Sequence, residues 1–104
     1  MIKFKAVRND QGKIVRITVK GHSGYAEIGH DIVCAAVSTA CQMAVNGIEA
    51  QRLSKVSYKV EDGFLDCEIS PERDKGADVL LESLMITIYE IAEQYKKYLF
   101  ITEV

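Results

Sequence analysis

The chain has 104 residues, 48% hydrophobic and 27% charged, with thirteen Lys and Arg against fifteen Asp and Glu for a net charge of −2. Those values match soluble globular chains and exclude a disordered tail, a collagen-like fibre and a disulfide-stapled miniprotein. One domain over residues 1–104 is expected at this length, and the lack of a basic surplus weighs against nucleic-acid binding except through a local patch.

Residues 2–8 alternate with period two, placing Ile2, Phe4 and Ala6 on one face. Asn9-Asp10-Gln11-Gly12 is turn chemistry, and residues 13–20 alternate again with Val15, Ile17 and Val19 expected inside. The alternation of lysines with apolar residues from Met1 to Lys5 is unlike a signal peptide, so a cytoplasmic location is expected. From Asp31 to about Gln51 the pattern becomes helical and apolar on nearly all sides, as in a helix buried on more than one face. Ala36, Ala40 and Ala44 form a stripe that permits close packing. No unbroken apolar run reaches the roughly 18–20 residues that cross a bilayer, and no membrane span is expected.

A second hairpin is expected over residues 55–60 and 64–69, turning at Asp62-Gly63. A second helix is expected from about Lys75 to Lys97, and a short strand from Tyr98 to Val104. The order ββαββα(β) predicts an α+β domain of two layers, an antiparallel-rich sheet packed against two helices.

Chemistry concentrates between the first hairpin and the first helix. Gly21, Gly24 and Gly29 permit positive φ and close approach of a ligand. Asp31 is a candidate N-cap, which would put Cys34 in the first helical turn. There the helix dipole would favour a thiolate, and unpaired amides could hold an oxyanion. His22, at the end of the strand, could move protons near neutral pH. Thiol, base and amides are the parts of acyl transfer. The residue types also allow a plainer reading, with Cys34 in the core, His22 in a solvated turn and the glycines merely forming a loop. Cys41 and Cys67 read as core thiols. Asp31 could orient His22 or only cap the helix; Ser38, one turn after Cys34, could line a site or bond back to a carbonyl.

The stretch Gly21-His22-Ser23-Gly24-Tyr25-Ala26, then Gly29, then Asp31-Ile32-Val33-Cys34-Ala35-Ala36-Val37-Ser38, resembles the ribosomal-processing cysteine protease family, Prp. Length, strand–helix order and the acidic second half agree over essentially the whole chain. The resemblance implies His22 and Cys34 as the catalytic pair of a homodimeric α+β endopeptidase of bacteria such as Firmicutes, working without a cofactor. It also implies the substrate, the precursor of large ribosomal subunit protein number 27, whose short N-terminal extension is removed after a pair of aromatic residues. Gly21, Ser23, Gly24, Tyr25 and Gly29 would then lie near the substrate, and the loop from Gly21 to His30 is expected to act as a lid.

Two rival readings remain at this stage. His22, His30, Asp31 and Cys34 are all metal-competent, but their spacing matches no common zinc pattern. A non-enzymatic ribosome-associated or RNA-binding module would need a basic sheet face bearing aromatics. The outward set Lys3, Lys5, Lys13, Arg16 and Lys20 is only moderately basic, and no direct nucleic-acid partner is expected.

Overall fold

A computed structural model describes residues 1–21, 28–61 and 63–104, with the side chains of residues 28–31 outside the description. Strand β1 (Ile2–Arg8) pairs antiparallel with β2 (Ile14–Lys20) across the Asn9 turn, where the Asn9 side chain accepts from the amides of Gln11 and Lys13, both at 3.0 Å. Helix α1 (Ile28–Ala50) leads to β3 (Val56–Glu61), which turns through two residues into β4 (Phe64–Ile69). Asp62 of that turn lies outside the described residues, and Gly63 has φ +74°, the left-handed conformation such turns favour. Helix α2 (Lys75–Gln94) is capped by Asp74, whose carboxylate accepts from the Gly76 amide at 2.8 Å. Strand β5 (Leu99–Glu103) closes the order.

The five strands lie in the order β3-β4-β2-β1-β5, antiparallel except for the parallel pair β1·β5. Each helix therefore crosses over one or more strands before the chain re-enters the sheet, and the two helices pack against each other. One cluster contains Ile2, Phe4 and Ala6 of β1, Ile17 and Val19 of β2, and Leu65, Cys67 and Ile69 of β4. It continues into Val33, Val37, Ala44, Val45 and Ile48 of α1 and Leu81, Leu84 and Ile88 of α2. The expected α+β two-layer architecture is the one observed, with one sheet face against the helices and the other open among the described residues.

Three details differ from the sequence expectation. Val15 was expected inside, yet it is half-exposed and Ile14 is buried instead. Val7 pairs with Arg16 but Arg8 with Ile14, so Val15 is the extra residue of a β-bulge, and the bulge resets the alternation. The α1 helix begins at Ile28 rather than Asp31, and it includes Gly29, since one helical glycine costs only about 0.5–1 kcal/mol. The segment Ile32–Ala50, with mean hydropathy 1.3, is also long and apolar enough by composition to span a bilayer. Its apolarity has a local cause: Val33, Val37, Cys41, Ala44, Val45 and Ile48 form the flank buried against the sheet and α2.

Candidate active site

The candidate site residues of the sequence fall between β2 and α1 and on α1 itself. Gly21 ends the described part of the strand side, at φ +99°. A Cβ there would stand 2.2 Å from the Met1 carbonyl oxygen, so only glycine fits between this backbone and the first residue of β1. His22, Ser23, Gly24 and Tyr25 follow and lie outside the described residues. Ile28, Gly29 and His30, part of the expected lid, are helical, so Gly29 belongs to α1; residues 22–27 of that segment lie outside the described residues.

Cys34 is on α1, 5% exposed, at the upper end of the core. Counting from Ile28 it is the seventh helical residue, which corrects its expected place in the first turn. Asp31 likewise stands within the helix and is not its N-cap. The consequence is chemical. An amide at the seventh position is bonded to the carbonyl four residues earlier, and the helix dipole acts mainly within the first turn. The first-turn amides of α1 are thus about one turn N-terminal to Cys34, roughly 5 Å along the axis.

Ser38 lies one turn beyond Cys34 on the same helical face and lines a cavity of about 460 Å³. The cavity is walled by Val19 of β2, by Ser38 and Gln42 of α1, and by residues of the β3–β4 hairpin from Tyr58 to Leu65, including the Glu61 carboxylate at its rim. Ser38 was foreseen as a site residue; Gln42, Tyr58, Val60 and Leu65 were not. Nothing in the local sequence marks them, because the cavity arises from β4 pairing with β2, which brings the hairpin beside α1. Burial pushes the Tyr58 hydroxyl up from its usual range, while a hydrogen bond with the Gln42 side chain acts in the opposite sense.

The three cysteines form no disulfide and all are buried. Burial pushes the Cys41 thiol up to about 12, with Cys67 adding to the effect. It does the same to Cys67, up to about 12, helped by the Asp66 carboxylate. Both remain protonated at neutral pH, as core thiols do. Among the described residues no three His, Cys, Asp or Glu side chains are grouped to hold a metal ion. Of the four metal-competent candidates, the side chains of His22, His30 and Asp31 lie outside the description.

Comparison with known proteins gives this geometry a family. The ribosomal processing cysteine protease Prp of Staphylococcus aureus is 28% identical over 100 residues, 93% of each chain. The S. aureus Prp crystal structure with a covalently linked product peptide superposes with a TM-score of 0.86 at 25% identity, covering all of both chains. The form bound to a substrate peptide gives 0.91 at 24% identity over the same full coverage, a likeness of fold. The family model described as cysteine protease Prp matches residues 1–100. With nearly its whole length so matched, the chain belongs to the Prp family and is a cysteine protease.

Proposed function

We propose that residues 1–104 are a single protease domain in which Cys34 and His22 form a dyad. Its reaction removes the short N-terminal extension from the precursor of large ribosomal subunit protein number 27. The observation that carries this reading is that Cys34 lies one helical turn before Ser38, which lines a cavity of about 460 Å³. Tyr58, Val60 and Leu65 offer a lining that suits the aromatic side chains preceding the scissile bond. The product covalently linked in the S. aureus relative supports nucleophilic catalysis in this chain as well.

In this mechanism His22 takes the thiol proton, and the Cys34 sulfur attacks the scissile carbonyl carbon. The carbon–sulfur bond forms as the carbonyl becomes an oxyanion. Collapse breaks the carbon–nitrogen bond, and His22 returns its proton to the leaving amine. Water then hydrolyses the thioester, releasing the carboxylate and restoring the thiol. The first-turn amides of α1 would then serve as donors to the oxyanion. Asp31 acts in orienting His22 or not at all, since it is not the cap.

The test is cleavage of a precursor peptide followed by mass spectrometry. Cys34→Ala should fold and release no product, His22→Ala should lose about 10²–10⁴ in rate, and His30→Ala should be nearly silent. Turnover by folded Cys34→Ala would refute the nucleophile. Inactivation by chelators together with a need for His30 would favour a metal site. The same reading includes a homodimer in the cytoplasm, without a cofactor. The exposed apolar side chains of the helical layer, Ile32, Met43 and Ile86 at 50–62% exposure, support association. A solution mass of one chain at micromolar concentration would refute the dimer.

A further inference from the structure

The open face of the sheet carries a pattern that proteolysis does not use. The pairing registers align Phe100 of β5, Lys3 of β1, Lys20 of β2 and Phe64 of β4 in one row across four strands. The next row is Thr102, Lys5, Thr18 and Asp66. Inward neighbours of these residues, such as Ile2, Phe4, Val19 and Leu65, are buried in the core, so the rows point away from the helices. Phe100 is 56% exposed, unusual for a phenylalanine. The Lys20 ammonium stands 5.6 Å from the centre of the Phe64 ring.

Charge pairing decides what the face attracts. The acidic side chains there are already engaged. Arg16 holds Asp66 through two hydrogen bonds of 2.9 and 3.0 Å and approaches Glu68 at 3.6 Å, while Lys59 holds Glu61 at 3.3 Å. Lys3, Lys5 and Lys20 make no ion pair among the described residues. A chain with net charge −2 thus concentrates three uncompensated cations between two aromatic rings. The rings stand three strand spacings apart, about 14 Å.

We propose that this face binds single-stranded RNA, with bases stacked on Phe100 and Phe64 and the intervening phosphates on Lys3, Lys5 and Lys20. Separated aromatics on an open sheet with lysines between them match stacking platforms for single strands, which need a π-face and a cation track and no groove. An acidic peptide would use the lysines and leave the rings idle. The choice of RNA over DNA rests on the ribosomal processing named for the curated relatives, so this surface would keep the protease beside RNA near its substrate. The surface itself does not depend on which residue is the nucleophile.

The experiment is fluorescence anisotropy of a labelled ten-nucleotide uridine-rich RNA with the full chain. Saturable binding is expected, with log affinity falling against log salt at a slope of about −2, as three phosphate contacts on a single strand require. The double variant Lys3→Glu/Lys20→Glu should weaken binding at least about tenfold, and Phe100→Ala about fivefold or more. Lys75→Glu, at the start of α2 in the helical layer, should leave it unchanged. Peptide cleavage by all four proteins should be retained, which separates this result from failure of the dyad. Absence of saturable binding, or binding indifferent to the double variant, overturns the proposal. So does equal binding of a thymidine DNA decamer, or full competition by polyglutamate with Phe100→Ala silent; the latter would mark a surface for acidic protein.

Discussion

Cys34, Cys41 and Cys67 are all buried, and Cys41 and Cys67 lie deepest in the core. Cys41 and Cys67 are each 1% exposed, between α1 and β4, and burial pushes both thiols up to about 12. Iodoacetamide at pH 7 should therefore leave both unmodified in the native protein and modify both after unfolding, as read by intact mass. Cys41→Ala or Cys67→Ala should cost about 1 kcal/mol, the scale of removing one buried methyl-sized group, and should leave cleavage intact. Loss of cleavage in either variant while the protein remains folded would contradict their assignment to the core. The sequence carried this distinction only partly. Cys34 stands out by its neighbours Gly21 to Ser38, whereas Cys41 and Cys67 are silenced by contacts across 26 residues of chain.

Among the elements, β2 shows how a single residue reverses a pattern. Strict alternation places Val15 inside, but the bulge exposes it and buries Ile14 completely. Ile14→Ala should consequently cost about 2–5 kcal/mol and Val15→Ala below about 1 kcal/mol in denaturant unfolding. The opposite ranking would mean that the ladder is regular. Strand β5 is held at its far end by a polar cluster. Arg8 reaches Glu103 at 3.0 Å and Glu82 at 2.7 Å, and the Tyr89 hydroxyl donates to Glu103 at 2.5 Å. That hydroxyl, followed by Arg8, holds the Glu103 carboxyl below its ordinary value of 4.5, against the opposing effect of burial. Because the folded state lowers this pKa, the stabilisation is present above the unfolded value and is lost as pH falls through the folded one. Glu103→Gln should lose a few tenths to about 1 kcal/mol at pH 7 and show a shallower loss of stability in acid. Parallel acid titrations followed by circular dichroism test this; identical profiles would show that Glu103 is unlinked to folding.

At the scale of the molecule, β5 joins the two ends of the chain. Its pairing with β1 covers what would otherwise be the edge of the sheet, and Leu99 is 5% exposed in the common core. Truncation after Tyr98 removes the five-residue ladder and that burial, about 2 kcal/mol for the leucine alone. The melting temperature should fall by at least about 10 °C, and a smaller shift would make the strand peripheral. The amino-acid sequence by itself determined the elements, since alternation and helical period are local properties of Ile2–Lys20, Val33–Ile48 and Ala77–Ile88. It also determined the candidate pair, because His22, Cys34 and the glycines lie within fourteen consecutive residues. Only the tertiary structure decided that α1 begins a turn before Asp31, which removes Cys34 from the first helical turn. Only the strand order decided that Tyr58, Val60 and Leu65 wall a cavity beside Ser38, and that Phe100, Lys3, Lys20 and Phe64 share a row. The physical reason is the same in each case. Hydrophobic period specifies which face of an element is buried, while neighbours across a sheet are chosen by pairing and packing between segments far apart in the chain.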